Sequence, residues 1–316
     1  MVSPIFFKRW KKSNASTCNY TTGQGKINGI KKCQQEKLKA VGSGVNQERF
    51  TELKKKQKSK AEQYTHLDTE KMARSSFNND NFLNIARNLI RDTSHINKFG
   101  FNDNVGTDFE VIGVGSANFV YPTTAAVASV VSTDANDDDG DTGARTLSIQ
   151  GLDGNYNDIT ETVTLNGTSA VTTTATFLRI FRARIETAGT SEGAEGTITV
   201  SVGGNEIARL DPVYDNQTLQ AAYTVPAGKT AYLIRIQATS TKDNKAAMVG
   251  LFTRSSNADS VFTVKQLIEV YRNSVVVEFP VPLKITEKTD IELRGKNLNT
   301  GNVSIGGTFD LILMDN

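Results

Sequence analysis

From residue 108 onward, apolar and polar residues alternate along most of the chain. The alternation is clearest in residues 197–202, 232–239, 275–280 and 309–314, where an apolar residue recurs at every second position. A period of two is that of a β-strand with one buried face. In residues 232–239, the pattern places Tyr232, Ile234, Ile236 and Ala238 together on one face.

Residues 143–167, GARTLSIQGLDGNYNDITETVTLNG, predict a β-hairpin. Leu147 and Ile149 alternate with polar residues, and Ile159, Val163 and Leu165 do so after the loop around Asp153-Gly154-Asn155. Asp, Gly and Asn favour tight turns because they tolerate the required backbone angles. Glu161 is the charged residue on the apolar side, which indicates a sheet edge or a strand end.

Turn-forming clusters such as DDDGDTG, GGNE, VPAGKT and NTGN separate the predicted strands. About a dozen strands at this spacing predict an all-β protein, an antiparallel β-sandwich or jelly roll. The strands form one domain or two sandwiches, with a break near residues 211–219. We therefore expect a first β region at 108–210 and a second at 211–316, preceded by a helix and linking segment at 72–107.

A single short helix is predicted before the strands. Asn79 or Asp80 is suited to cap it, and apolar residues at helical spacing run from Phe82 to Ile90, so we expect it to end at about Arg91. A helix this short is marginal in isolation, so it should dock on another element.

The charge of the chain is divided unevenly. Residues 1–71 carry 16 Lys/Arg and 6 Asp/Glu, a net charge of +10, so the remaining 245 residues carry 36 − 16 = 20 basic and 34 − 6 = 28 acidic residues, a net charge of −8. Low hydrophobicity and high charge predict a disordered basic arm over 1–71. Three interpretations stay open: a solvated tail, an arm that binds nucleic acid or an anionic surface, and an over-extended reading frame whose true start is Met72.

Side chains typical of catalysis are scarce. The two histidines, His66 and His95, fit surface or capping positions, and GVGSAN (113–118) fits a turn at a strand end better than a nucleotide-binding loop. Cys18 and Cys33 fit no zinc-ligand spacing. No run approaches the length of a membrane span, so we expect no membrane insertion. We predict no catalytic, cofactor-binding or metal-ligating residue, no cofactor, and no enzyme activity.

The acidic run DANDDDGD (134–141) is the strongest candidate for a cation site. Asp134, Asn136 and Asp138 match the first three ligand positions of a calcium loop. Asp139 stands where glycine is required, and Arg145 stands where the bidentate glutamate belongs. A solvated loop is therefore the favoured interpretation, and cation binding is left open.

Three blocks of sequence resemble virion structural proteins of tailed phages, particularly marine podovirus-like ones. They are NKFGFNDNVGTDFEVI (97–112), TGARTLSIQGLDGNYNDITETVTLNGTSAVTT (142–173) and FLRIFRARIETAGTSEGAEGTITV (177–200). The likeness continues through YTVPAGKTAYLIRI, LFTRSS, PLKITEKTDIELRG and FDLILMDN, so that it covers roughly residues 95–316. Members of this group begin close to the position of Met72, and residues 1–71 match nothing in it.

The resemblance implies a non-enzymatic part of the virion, assembled in the host cytoplasm: a capsid decoration or cement protein, or a subunit of a head or tail appendage. By analogy it also implies a homo-oligomer, with a trimer favoured, that contacts the major capsid protein or other virion proteins. Nucleic acid is expected as a partner only through the basic arm.

The alternative is a fibre or tail module that binds a receptor or a host surface glycan, with Tyr156, Tyr214 and Tyr223 as the loop aromatics available for stacking. The single tryptophan, Trp10, lies in the arm. An enzyme that degrades polysaccharide would need two carboxylates at a defined separation, and the spacing of acidic residues nominates no such pair.

Overall fold

The computed structural model describes residues 81–113, 120–212, 216–240, 246–256 and 260–316. These residues form one short helix and sixteen antiparallel strands, which confirms the predicted all-β sandwich fold. The predicted disordered arm, with Cys18, Cys33 and His66, lies outside the described residues. The described part of the chain contains no helix long and apolar enough to cross a membrane.

The helix α1 spans Asn81–Ala86 and is shorter than predicted. It ends because Asn88 adopts a left-handed backbone (φ 55°). The amide of Leu89 then donates to the carbonyl of Asn84 at 2.8 Å, and that of Asn88 donates to Ile85 at 2.9 Å. This is the Schellman closure of a helix, with asparagine in the place of the usual glycine. The predicted caps at positions 79 and 80 lie outside the described residues.

Nine strands form what we call the main sandwich. They are β1 (Thr93–Val105), β2 (Glu110–Val111), β10 (Ala222–Thr224), β11 (Lys229–Ser240), β12 (Ala246–Ser255), β13 (Thr263–Tyr271), β14 (Ser274–Ile285), β15 (Thr289–Asn297) and β16 (Val303–Asp315). One sheet has the order β1-β16-β11-β14, and the facing sheet has the order β10-β15-β12-β13, with β2 also paired to β15. In the first sheet, Thr93 lies opposite Met314.

Seven strands form what we call the inserted sandwich, because they lie between β2 and β10 in the chain. They are β3 (Ala126–Ser132), β4 (Ala144–Leu152), β5 (Asp158–Thr164), β6 (Val171–Phe177), β7 (Arg179–Ala188), β8 (Ile198–Val202) and β9 (Asn205–Leu210). Their two sheets have the orders β6-β3-β8-β9 and β5-β4-β7.

Each sandwich has its own hydrophobic core. In the main sandwich, Leu233, Ile236 and Phe309 are fully buried, and they belong to a buried cluster with 19 other residues. In the inserted sandwich, Leu147 and Phe177 belong to a second buried cluster. Each such side chain contributes about 1.5–3 kcal/mol on burial. Both cores belong to one compact unit, Asn81–Asn316, and the predicted division at residues 108 and 211 stays a prediction.

A β-bulge in β11 overturns one predicted face. The pairing of β11 with β14 and with β16 shifts between Leu233 and Arg235. Because the bulge inserts one extra residue, the strand's faces exchange there. Leu233 is therefore buried before the bulge, and Ile236 and Ala238 are buried after it, whereas Tyr232 and Ile234 are only half-buried.

The hairpin predicted over 143–167 is present as β4 and β5. The pairing runs in register from Thr146 opposite Thr164 to Leu152 opposite Asp158. The carboxylate of Asp153 accepts the amides of Asn155 and Asn157, at 2.8 and 2.9 Å, and so closes the loop. Burial opposes ionisation of Asp153, but the hydrogen bonds from Asn157 and Asn155 together outweigh it and hold the pKa of Asp153 below its usual value.

Glu161 marks a sheet edge, as expected. It lies on β5, the outer strand of its sheet. Its carboxylate accepts the backbone amides of Thr174 and Ala175 on β6, both at 2.7 Å. The edge strand of one sheet is thereby tied to the facing sheet of the same sandwich.

Candidate functional site

The two sandwiches meet at a buried cluster of charged and aromatic side chains on the outer face of the β12–β15 pair. On β15, Ile291 and Leu293 face the core, so Asp290, Glu292 and Arg294 lie together on the opposite face. Both carboxylates are fully buried. Because a buried carboxylate is costly without partners, the groups that surround this stripe decide what it does.

Asp290 receives an arginine from each sandwich. Nε and Nη2 of Arg179, on β7, donate to Oδ1 and Oδ2 of Asp290 at 2.9 and 3.2 Å. Nη2 of Arg254, on β12, donates to Oδ2 at 2.7 Å, and the hydroxyl of Thr224 donates to Oδ1 at 2.7 Å. Nη1 of Arg179 also donates to the carbonyl of Pro122. This carboxylate therefore joins the inserted sandwich to the main sandwich.

Glu292 is bonded to Arg294 and to a tyrosine from the segment before β3. The hydroxyl of Tyr121 donates to Oε2 of Glu292 at 2.8 Å, and Nε of Arg294 donates to Oε1. Burial raises the pKa of Glu292 above its usual value, although Arg294 and Tyr121 oppose that change. Burial and the two nearby carboxylates also raise the pKa of Tyr121. Tyr121 is therefore a neutral donor at physiological pH.

Arginines and aromatic rings alternate across this cluster, which we call the cation–aromatic ladder. The guanidinium of Arg254 lies 4.5 Å from the ring centre of Tyr121 and 4.6 Å from that of Phe262. Arg294 lies 4.5 Å from Phe262 and 4.8 Å from Phe252. Each close stack contributes about 0.5–2 kcal/mol when the cation is partly desolvated. The ladder holds the arginines in the orientations that the carboxylates require.

The chemistry of the cluster suits a structural contact between the two sandwiches, and we call this contact the ionic lock. Asp290 and Glu292 are buried, and their oxygens accept hydrogen bonds from arginine, threonine and tyrosine donors. Removal of one partner from a buried ion pair is strongly destabilising, because it leaves a charge in a poorly solvated place. The cluster thus ties the inserted sandwich to the main sandwich through Arg179 and Asp290.

The acidic run 134–141 folds around Asp137, the member that the calcium-loop comparison did not use. The buried carboxylate of Asp137 accepts the amides of Ala144, Glu195 and Gly196 at 2.8, 2.9 and 3.0 Å, and the hydroxyl of Ser132. Asp137 thereby ties the run to the β4 and β8 regions.

The candidate ligands of this run are engaged in local hydrogen bonds. Asp134 accepts the amide of Asn136 at 2.9 Å, and the amide of Asn136's side chain donates to Glu195 at 2.7 Å. Hydrogen bonds from Thr142 and Asn136 hold the pKa of Glu195 below its usual value. The described residues contain no group of three His, Cys, Asp or Glu side chains placed to hold a metal ion.

A second polar cluster lies on the outer face of the β1-β16-β11-β14 sheet. Asp310 accepts the side-chain amide of Asn97 at 2.7 Å, Nε of Arg235 at 2.8 Å, and Nε2 of His95 at 3.0 Å. Burial opposes ionisation of Asp310, but these bonds outweigh it, so its pKa lies below the usual value. His95, expected at a surface or capping position, is thus a strand residue that covers a buried carboxylate.

Two cavities flank this sheet. The larger, of about 640 Å³, lies beside α1, and Phe82, Ile85, Phe279 and Ile312 line its apolar part. The smaller, of about 290 Å³, contains Lys98, whose amine donates to the carbonyl of Phe181. Burial, reinforced by Arg182, lowers the pKa of Lys98 well below its usual value.

Of the loop aromatics considered for glycan stacking, the structure describes Tyr156 and Tyr223. The prediction that Tyr223 is an exposed aromatic in a turn is wrong. Tyr223 is buried on β10, with its ring centre 4.9 Å from that of Phe181. Tyr156 lies in the β4–β5 loop, beside Arg179 and Lys288. Tyr214 lies outside the described residues, as does all of GVGSAN after Gly113.

Sequence reasoning missed the charged stripe on β15. The alternation in TDIELRG does place Asp290, Glu292 and Arg294 on one face. Spacing alone could not show that the stripe is buried, because Arg179 and Asp290 are 111 positions apart in the chain.

No protein-family model and no curated protein matches the chain. Among solved structures, it is similar to infectious bursal disease virus of the Gt strain, at 8% identity and a TM-score of 0.14, over 71% of this chain and 77% of that one. It is similar to the same virus of the Gx strain at 9% identity and a TM-score of 0.18, over 70% of each chain. It is similar to the VP2 subviral particle of that virus at 8% identity and a TM-score of 0.15, over 71% of this chain and 76% of that one. All three are structures of a virus or a subviral particle, and at these scores the likeness carries no inference about this chain.

Proposed function

We propose that this chain is a non-enzymatic structural subunit of a tailed-phage particle. Within that class, a capsid decoration or cement protein, or a subunit of a head or tail appendage, fits best. The resemblance of residues 95–316 to such proteins supports the proposal. Its expected partners are further copies of itself and other proteins of the particle.

The observation that carries the proposal is the buried contact of Arg179 and Arg254 with Asp290. A subunit that binds a particle must present its contact surfaces in a constant geometry, because an interface loses affinity for every degree of freedom that binding has to freeze. An ionic lock between two β-sandwiches provides that constancy without any disulfide bond. The loops and strand edges of both sandwiches are then displayed from one rigid frame.

Detection of the chain in purified particles tests the proposal. Particles would be banded by density, treated with nuclease, washed in moderate salt and analysed by quantitative mass spectrometry. We expect peptides from residues 81–316 at a constant ratio to the main coat protein, and retention after the wash, because surface electrostatics alone is weakened by salt. Presence of the chain in the infected-cell lysate, together with its absence from the particles, would overturn the proposal.

A glycan array probed with the purified chain tests the recognition alternative. Specific binding to one glycan class, by a chain that is lost from washed particles, would favour the receptor-binding module. No binding, with retention on the particles, would favour the structural subunit.

A further inference from the structure

Strand β13 is an exposed sheet edge that large apolar side chains decorate. Within the described residues it pairs with β12 alone, over Thr263–Tyr271. Val264, Leu267 and Tyr271 are 47%, 46% and 55% exposed. A long apolar edge presents unpaired amides and carbonyls to any other strand, so proteins normally block such edges.

The neighbouring edge strand, β14, is blocked. It also exposes apolar residues, notably Val281, but it carries Pro280 and Pro282. Proline has no amide hydrogen, so it interrupts the ladder that an added strand would need. β13 has no proline. Proline thus protects one of two adjacent edges. The other carries a lysine at a bulge near its beginning, and its stretch from Gln266 to Tyr271 is suited to pairing.

The charges of β13 are self-complementary. When two β13 strands pair antiparallel with Leu267 opposite Leu267 of a second copy, Lys265 falls opposite Glu269 of that copy, and Glu269 opposite its Lys265, because 265 + 269 = 2 × 267. Registers centred on position 265 or 269 would instead place like charges opposite each other, which is destabilising. Both charged side chains are exposed in the single chain.

The geometry of β13 suits this register. Against β12, the pairing shifts between Gln266 and Val264, so Lys265 is the extra residue of a bulge. The stretch from Gln266 to Tyr271 pairs regularly and supplies the centre of the contact. The flexible lysine side chain at the bulge can then reach the opposing carboxylate despite the local irregularity.

We propose that two copies of this chain associate through their β13 edges, antiparallel about Leu267. The β10-β15-β12-β13 sheets of the two copies become continuous across a two-fold axis. The contact is isologous, since the same strand serves both copies. It differs from the trimer that the family resemblance implies, and it does not depend on the proposed role in a virus particle.

A charge-swap series on the full chain tests the contact. Sedimentation-velocity and light-scattering measurements over a concentration series give the dimer dissociation constant for the wild type, Lys265→Glu, Glu269→Lys and the double variant. We expect about a tenfold or greater weakening for each single variant, because each places like charges opposite. The double variant restores the pairs in reversed orientation, and so should return to near the wild-type constant.

Lys284→Glu, at an exposed position of the blocked edge β14, is the matched control and should leave the constant unchanged. Circular dichroism confirms that every variant is folded. A monomeric wild type at all concentrations overturns the proposal. So does an oligomer that both single variants leave intact, or a double variant that stays as weak as the singles.

Discussion

Nε of Arg179 lies 2.9 Å from Oδ1 of Asp290, and this ion pair joins β7 of the inserted sandwich to β15 of the main sandwich. Both side chains are almost fully buried, at 7% and 1% exposed. Water therefore screens the pair little. Loss of Asp290 leaves Arg179 without its counter-charge, and loss of Arg179 leaves Asp290 with Arg254 as its remaining arginine.

Replacement of Arg179 should destabilise the whole protein. We expect Arg179→Ala to lower the free energy of unfolding by about 3 kcal/mol, the lower end for a broken buried pair, because Arg254 still contacts Asp290. Arg184→Ala removes an exposed pair with Glu186 and should cost less than about 1 kcal/mol. Urea unfolding followed by fluorescence and circular dichroism measures both, and equal losses would contradict the buried lock.

Replacement of Asp137 should unfold the acidic loop and weaken the inserted sandwich. Asp137→Ala leaves three backbone amides without their acceptor. Buried donors left unsatisfied cost about 1–3 kcal/mol each before relaxation, so we expect a total loss of roughly 3 kcal/mol or more. The control is Asp139→Ala, at an exposed position of the same run. Faster hydrogen exchange at Ala144 and Gly196 in the first variant alone would identify the local cause.

Acid should remove the contribution of Asp310 to stability. Its pKa is lower in the folded chain than in the unfolded chain, where a value near 3.9 is typical. Its contribution is therefore fully present above about pH 4 and is lost as the pH falls through the lower folded pKa. We expect Asp310→Asn to be less stable than the wild type at pH 7, and the difference to shrink by pH 3. A difference that is constant across this range would rule out the ionised carboxylate as its source.

Two glycines of the β4–β5 hairpin should respond differently to alanine. A Cβ on Gly151 would overlap the carbonyl of Arg179 on the neighbouring strand, whereas a Cβ on Gly154 would make ordinary contact with Ala125. We expect Gly151→Ala to cost about 3 kcal/mol, at the upper end for overpacking, and Gly154→Ala to cost less than about 0.5 kcal/mol. Thermal unfolding of both variants compares them, and similar melting temperatures would refute the close approach of β4 and β7.

The fold class follows from the sequence because most strands bury one face and so show a period of two. β1 does not show it, since the residues at its buried positions include Lys98, Gly100 and Asn102. A strand with polar or small buried residues gives no apolar alternation, so its place in the main sandwich was not predicted. The bulge of β11 could not be predicted from the sequence for a related reason. One extra residue exchanges the two faces of the strand, and the types of residue in the strand do not reveal it.

The candidate site was less accessible from the sequence than the fold. Hydrogen-bond partners such as Arg179 and Asp290 come together through the packing of two sandwiches, and no local pattern encodes that packing. The hairpin at 143–167 was predictable because its signal is local: alternating strands, an Asp-Gly-Asn turn and one charged residue at the edge. The lock is instead a product of tertiary structure.

The pairing of Thr93 with Met314 brings the first and last strands of the main sandwich side by side. The inserted sandwich is then an insertion between β2 and β10 of the main sandwich, whose first and last strands are neighbours. The order in which the strands are translated is therefore separable from their arrangement in space. A circular permutant that joins residue 316 to residue 93 through a short glycine-rich bridge, and opens the chain in the exposed β4–β5 loop, should keep every strand pairing. In such a chain the nine strands of the main sandwich would be synthesised one after another, with no strand of the inserted sandwich between them.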